Sequence, residues 1–176
     1  SIQAFDLLVD THQTYIDAGT DVITVNGYAS SRLVLEPAGL SDQVRTINMK
    51  NIEAALLARD RSGHSDVLVA GSVSHSLGFR PGLSKSIERD VSPDQFADAF
   101  EEMFAFYEEG GVDLVLLEMM SVPRRMLPLF ERAAKSPLPI WCGLSARRKD
   151  QASEITGFLD ESILLIDNIH EASKYQ

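Results

Sequence analysis

The chain has 176 residues with 16 basic and 26 acidic side chains, and therefore a formal net charge of −10 at pH 7. This acidic balance argues against a nucleic-acid partner or an anionic membrane surface, because both require a concentrated positive face. With 44% hydrophobic residues, the chain can bury one core, and we expect a single domain over residues 1–176.

The sequence contains a single cysteine, Cys142, so it can form no internal disulfide and no cysteine-rich zinc site of its own. This composition fits a reducing compartment, and we expect a cytoplasmic protein. No stretch approaches the roughly 20 apolar residues of a membrane helix, and residues 1–6 lack the basic-then-apolar order of a signal peptide. Because the chain also lacks an initiator methionine, we expect it to be a piece of a longer protein.

Amphipathic helices alternate with short apolar runs along the chain, which predicts a βα repeat. The clearest helix start combines Ser92 as N-cap, Pro93 at the first helical position and Gln95 three residues after the serine, which is a capping box. The predicted helices run from Phe5 to about Gly19, Ser41 to Arg61, Ser92 to Gly110, Val122 to Lys135 and Glu161 to Tyr175, and the predicted strands cover Asp21–Asn26, Asp66–Ser72, Val112–Glu118 and Pro139–Ser145.

The four predicted strands are apolar almost throughout, which is typical of a sheet covered on both faces. A helix between successive strands makes those strands parallel. The predicted fold is therefore α/β with a parallel sheet. Residues 146–160 are polar and are expected to form a loop.

Polar residues follow each strand at its carboxyl end, where active sites form in parallel α/β folds. Glu118 is the strongest candidate, because a carboxylate that ends an apolar strand requires a cation, a substrate amino group, a metal or a proton as partner. Its structural alternative is an ion pair with Arg147 or Arg124. We expect Glu118 to share a cavity with Asn26 and Ser72. The full candidate set is Asn26, Tyr28, Ser72, Ser74, His75, Glu118, Ser145 and Arg147.

The remaining polar candidates have ordinary structural explanations. Asn26 either orients a polar substrate through its amide or caps the following loop. His75 lies in a serine-rich turn, where it could be a ligand or a general acid, but we expect a solvated side chain. Cys142 lies inside an apolar strand and is expected to be a small buried hydrophobe. His12 and His170 lie on helices remote from the strand ends and His64 lies where a helix stops, so these three are expected to be structural or exposed.

Several sequence motifs are absent from the chain. It has no G-x-x-x-x-G-K-[ST] phosphate loop, no G-x-G-x-x-G fingerprint, no G-x-S-x-G nucleophile elbow and no H-E-x-x-H pair. Nucleotide hydrolysis and dinucleotide redox chemistry therefore have no support in the sequence.

Four motifs, in order and in register, resemble the homocysteine S-methyltransferase family, from about residue 5 to about residue 148. They are His12-Gln13-x-Tyr15-Ile16-Asp17-Ala18-Gly19-Thr20-Asp21-Val22-Ile23-Thr24-x-Asn26-x-Tyr28, Ala54-x-x-x-Ala58-Arg59, Val69-Ala70-Gly71-Ser72-Val73, and Gly111-Val112-Asp113-Leu114-x-Leu116-x-Glu118.

The resemblance implies a (β/α)8 TIM barrel, of which this chain holds the part from the second strand to the fifth helix. It implies methyl transfer from a small-molecule donor to a zinc-bound thiolate of homocysteine or a similar thiol, in methionine biosynthesis. By the same resemblance, Glu118 matches the acidic residue that contacts the amino-acid substrate, and Asn26 matches an asparagine after the second barrel strand. Three cysteine thiolates hold the zinc in that family, so its zinc ligands would lie outside this chain.

The chain also departs from the family pattern at the strand ends. Gly27 replaces the usual threonine, Ser74 and His75 replace the usual Gly-Pro pair, and Met119 stands where threonine is common after Glu118. The opening D-G-x-x-G-T-type motif and the zinc-binding G-x-N-C and G-G-C-C motifs are not in the sequence. We expect the missing barrel strands to belong to the full protein, because a part of a barrel leaves strand edges unpaired.

Two alternative functions remain open from the sequence. A non-catalytic homologue could bind an amino-acid-like ligand or a partner protein without zinc, as the altered positions after Ser72 and Glu118 suggest. A barrel lyase or isomerase could use Glu118 as a proton-abstracting base.

Overall fold

The computed structural model describes residues 3–77, 90–148 and 154–175. In these ranges helices and strands alternate in the predicted order. The helices are α1 (Phe5–Asp17), α2 (Arg32–Leu35), α3 (Val44–Ser62), α4 (Pro93–Gly110), α5 (Pro123–Ala133) and α6 (Leu165–Ala172), with single 3₁₀ turns at Glu36–Ala38, Ser41–Gln43 and Ser173–Tyr175. The strands are β1 (Val22–Thr24), β2 (Leu68–Ser74), β3 (Leu114–Met120), β4 (Ile140–Leu144), β5 (Ala146–Arg148) and β6 (Ile155–Gly157).

Strands β1 to β4 form one parallel sheet whose spatial order equals their order in the chain. Every crossover therefore moves to the next strand in the same direction, and right-handed crossovers then place all the connecting helices on one face. The opposite face carries Leu68 and Trp141, which are 39% and 50% exposed, whereas Ala70 and Ser72 of β2 are buried on that same face. The parallel sheet is confirmed. The expectation that both faces are covered holds for β2 after Leu68 and is wrong at β4, where Trp141 is exposed.

Helix α4 supplies most of the aromatic core beneath the sheet. Its start is the predicted capping box, with the Gln95 N–H donating to the Ser92 hydroxyl and the Ser92 N–H donating to the Gln95 side chain. The large α4 side chains that are fully buried are Phe100, Met103, Phe104 and Tyr107. Full burial of such side chains stabilises the fold by roughly 1.5–3 kcal/mol each.

No helix in the described ranges is long and apolar enough to cross a membrane.

A charged contact joins three elements at the amino-terminal end of the sheet. The Asp113 carboxylate accepts hydrogen bonds from the Arg59 guanidinium at 2.8 Å and from the Val69 N–H at 2.7 Å. Because α3, β2 and the start of β3 meet here, the end of the sheet opposite to the candidate site is held in a fixed register.

The segment after β4 differs from the prediction of a loop. Strands β5 and β6 form an antiparallel pair, and residues 149–153 lie outside the described residues. The last helix also begins four residues later than predicted, at Leu165. The backbone of Ile163 and Leu164 is extended against the pair instead, with the Gly157 N–H donating to the Ile163 carbonyl.

Candidate functional site

A cavity of about 590 Å³ lies along β1 and the carboxyl ends of β2 and β3. It brings together Asn26, Ser72 and Glu118, the three residues predicted to share a cavity, and a fourth strand-end candidate, Tyr28. Its size lies within the usual range of small-molecule sites. The lining residues are Leu8, Thr11, His12, Tyr15, Thr20, Val22, Ile23, Thr24, Val25, Asn26, Gly27, Tyr28, Ser72 and Glu118.

Glu118 lies half-buried on β3, directly before a break in the strand geometry. Met119 has a φ of 61°, the single positive value among the described non-glycine residues, and the β3–β4 register shifts between Leu117 and Met120. Bulges of this kind turn a strand and re-aim its side chains. No ion pair among the described residues includes Glu118, and Arg147 pairs with Glu161 at 3.1 Å. Among the residues that the structure describes, the carboxylate therefore faces the cavity without a cation.

The loop that carries Asn26 is held by two asparagines of α3. The Asn51 side-chain amide donates to the Asn26 carbonyl at 2.6 Å. The Asn48 amide donates to the Ser30 carbonyl at 2.9 Å and accepts from the Ser30 hydroxyl at 2.5 Å. The sequence analysis did not single out this pair. Two asparagines three residues apart on a helix indicate a polar contact when they are buried, because buried amides require hydrogen-bond partners. The backbone of Asn26 is fixed, while its side chain is exposed beside the cavity.

Ser72 lies at the bottom of the cavity, and Tyr107 supports it from behind the sheet. The Tyr107 hydroxyl donates to the Ser72 carbonyl at 2.5 Å, and its burial raises the pKa of the phenol. A β-carbon at Gly27 would contact this hydroxyl and would lie 2.6 Å from the Ser72 carbonyl oxygen. Glycine thus stands at position 27 because a side chain there would collide with Tyr107. The Ser72 hydroxyl itself has no hydrogen-bond partner among the described residues.

The expectation of a solvated His75 is wrong. The imidazole is 2% exposed, and its Nε2 accepts the Ser121 N–H at 3.1 Å. Burial and the positive charge of Arg125 lower the pKa of His75 to about 4. A neutral ring is the state that can accept this hydrogen bond. The neighbouring Ser74 is also buried, and its hydroxyl donates to the Tyr28 carbonyl at 2.7 Å.

His12 also lies differently from the expectation that it is remote from the strand ends. It is buried on α1 and lines the cavity, with Nε2 unpaired among the described side chains. Burial lowers the pKa of His12. The helix precedes β1 and lies across it, so a residue far from any strand end in sequence comes close to one in space. His64 and His170 are exposed, as expected.

Cys142 is exposed on β4, so the expectation of a buried thiol is wrong. Strand β4 has β3 as its single partner in the described sheet, and its side chains are correspondingly less covered. Partial burial still raises the pKa of the Cys142 thiol to about 11. The Ser145 hydroxyl donates to the Met119 sulfur at 3.2 Å. Neither Ser145 nor Arg147 lines the cavity.

The described residues do not fit a zinc site. They contain no group of three or more histidine, cysteine, aspartate or glutamate side chains placed to hold a metal ion. The whole sequence has one cysteine. Three thiolate ligands cannot come from this chain.

The family model described as homocysteine S-methyltransferase matches residues 2–162 of this sequence. Among curated relatives, homocysteine S-methyltransferase 1 of Brassica oleracea var. italica is 29% identical in an alignment of 135 residues that covers 69% of this chain and 41% of that protein. Homocysteine S-methyltransferase 1 of Arabidopsis thaliana is 28% identical in an alignment of 155 residues that covers 77% of this chain and 47% of that protein. The chain thus spans about half the length of these relatives.

Solved structures of the homocysteine methyltransferase MmuM from Escherichia coli share the fold. The oxidised form matches with a TM-score of 0.79 at 20% identity, over 99% of this chain and 60% of that one. The metallated form matches with a TM-score of 0.75 at 20% identity, over 99% of this chain and 62% of that one. These matches confirm the predicted TIM-barrel type of fold, of which the described sheet contains four strands.

Proposed function

Because the chain belongs to the homocysteine S-methyltransferase family, we propose that it forms the amino-acid-binding part of a homocysteine methyltransferase. Residues 1–176 would then be part of a single barrel domain. The observation that carries the proposal is the cavity shared by Asn26, Ser72 and Glu118, in which no cation of the described ranges 3–77, 90–148 and 154–175 pairs with the carboxylate. A ligand ammonium group would supply the missing positive charge.

Each of the three residues has a role that its chemistry supports. Glu118 would accept hydrogen bonds from the substrate ammonium, because charge-assisted bonds are the strong ones in a partly buried site. Asn26 would orient a polar group of the substrate through its side-chain amide, while Asn51 holds its backbone in place. The Ser72 hydroxyl is buried and unpaired among the described residues, so it would hydrogen-bond a ligand group that reaches the bottom of the cavity.

Methyl transfer itself requires groups beyond those described. The resemblance to the family implies a zinc ion, which when bound would lower the pKa of the substrate thiol and so favour the reactive thiolate. This sequence, with one cysteine, cannot provide the three cysteine ligands of that zinc. The proposal for the full protein is a cytoplasmic enzyme that takes homocysteine and a small-molecule methyl donor and makes methionine.

The experiment is isothermal titration calorimetry of the protein with L-homocysteine. For Glu118→Gln we expect a loss of about 2–5 kcal/mol in binding free energy, which is typical when one partner of a buried charge pair is removed. N-acetyl-L-homocysteine, which lacks the ammonium charge, should bind the wild type and the Gln variant equally. Glu131→Gln on α5, an exposed carboxylate outside the cavity, is the matched control.

Two results would count against the proposal. One is equal homocysteine affinity for the wild type and Glu118→Gln. The other is a markedly lower unfolding temperature of the Gln variant with unchanged binding, which would make Glu118 a structural residue.

A further inference from the structure

Two consecutive side chains at the end of β2 each contact a different neighbouring strand end. The Ser74 hydroxyl donates to the Tyr28 carbonyl in the loop after β1, at 2.7 Å. The His75 Nε2 accepts the Ser121 N–H after β3, at 3.1 Å. Both side chains are buried, at 4% and 2% exposure.

These two bonds lie beyond the points where the backbone ladders end. The β1–β2 pairing ends at Thr24 and Ala70, with one further bond from the Val25 N–H to the Ala70 carbonyl. The β2–β3 pairing ends at Ser74 and Glu118. Past these positions, hydrogen bonds of the Ser74 and His75 side chains connect the strand ends.

The bonded atoms lie close in sequence to the two ends of the candidate site. Tyr28 follows Asn26 by two residues, and Ser121 follows Glu118 by three residues. We propose that Ser74 and His75 are positioning residues, a clamp that sets the distance between Asn26 and Glu118 and thereby the length of the amino acid held between them. This inference rests on the proposed function of the cavity.

The clamp requires a hydrogen-bond acceptor at position 75. The β3–β4 pairing ends at Met120, whose carbonyl accepts the Ser145 N–H, and the N–H of the next residue, Ser121, is satisfied by the His75 imidazole. A glutamine at position 75 can present an oxygen acceptor at a similar reach, whereas a leucine of similar size cannot. An unpaired buried N–H is unfavourable, so in His75→Leu the strand end after Glu118 should move toward another partner.

The test measures which ligand the protein prefers as well as how tightly it binds. Calorimetry with L-homocysteine and L-cysteine, which differ by one methylene group, gives an affinity ratio for each variant. For His75→Leu and Ser74→Ala we expect homocysteine affinity to fall on the order of tenfold, with a changed homocysteine-to-cysteine ratio. His75→Gln should restore both values to within about threefold of the wild type. His64→Leu, at an exposed histidine, is the control.

Simple loss of folded protein would lower both affinities together and leave their ratio unchanged. The clamp is therefore contradicted if the ratio stays constant in both His75→Leu and Ser74→Ala, or if His75→Gln behaves like His75→Leu. If His75→Leu does not fold, Ser74→Ala and His75→Gln decide in the same way. Failure of the wild type to bind homocysteine would overturn the proposed function, and the ligand role of the clamp with it. Normal binding with an unchanged ratio overturns the clamp alone.

Discussion

The ring of Tyr107 lies directly against Gly71, so this position of β2 has no room for a β-carbon. A β-carbon there would lie 2.6–2.8 Å from three atoms of the ring. We expect Gly71→Ala to lower the free energy of unfolding by about 1–3 kcal/mol, which is typical of overpacking in a core. Urea unfolding followed by circular dichroism measures the change.

Gly143 in β4 is the matched control for this substitution. Its β-carbon would lie 3.4 Å from the Leu117 carbonyl oxygen, which is close to ordinary contact. Gly143→Ala should change the unfolding free energy by less than about 0.5 kcal/mol. Equal effects of the two substitutions would show that Tyr107 does not restrict position 71.

The buried imidazole of His75 predicts a dependence of stability on pH. Burial lowers the pKa of His75 from 6.5 to about 4 in the folded protein, so between these values the unfolded chain binds more protons. Stability from this group is complete above pH 6.5 and is lost as the pH falls toward 4. The loss should reach about 3 kcal/mol, since one pKa unit corresponds to 1.36 kcal/mol.

His75→Gln removes this titration and keeps an acceptor for the Ser121 N–H. We expect the unfolding free energy of the wild type to fall by about 3 kcal/mol more than that of the Gln variant between pH 7 and pH 4. All other titrating groups, including His12, are common to both proteins and cancel in the difference. Parallel pH profiles would contradict a neutral, buried His75.

The position of a single residue could be predicted from the sequence where a local rule determines it. It could not be predicted where a contact with a residue distant in sequence determines it. Glu118 and Ser72 end apolar strands, so their place at the carboxyl edge followed from the alternation of strand and helix. The burial of His75 depends on the N–H of Ser121, 46 residues away. The exposure of Cys142 depends on its strand lying at the edge of the described sheet, which the apolar sequence around it does not reveal.

The start of α4 shows how far an element can be predicted from local chemistry. Ser92, Pro93 and Gln95 form the capping box in the structure as the sequence indicated. We expect Ser92→Ala to lower the unfolding free energy by about 1 kcal/mol, because one N-cap bond to a backbone N–H is lost. Thermal unfolding checks this value.

Ser31 offers a control of the same residue type. It precedes α2 as N-cap but makes no side-chain capping bond. Ser31→Ala should therefore have a clearly smaller effect than Ser92→Ala. If the two substitutions cost the same, the capping box at α4 does not contribute to stability.

The β5–β6 pair was missed because its signal is weak at the level of the element. Each strand has three residues, and β5 is exposed along its length, so neither shows a hydrophobic period. The same pair explains the late start of α6, since the backbone of Ile163 and Leu164 pairs with β6. The apolar pattern from Glu161 onward predicts a helix, but the helix in the structure begins at Leu165.

At the scale of the molecule, the order of the sheet was contained in the repeat of helix and strand. The repeat does not predict that α1 forms part of the cavity wall. His12 enters the cavity because α1 lies across β1, and that contact depends on tertiary packing between α1 and α3.

We propose that the cavity between Asn26 and Glu118 holds an amino acid by its ammonium group. A crystal structure of the protein with L-homocysteine tests this directly. We expect the ligand nitrogen at about 3 Å from the Glu118 carboxylate, in the cavity that Asn26 and Ser72 also line. A homocysteine molecule bound elsewhere, or with its ammonium group turned away from Glu118, would contradict it.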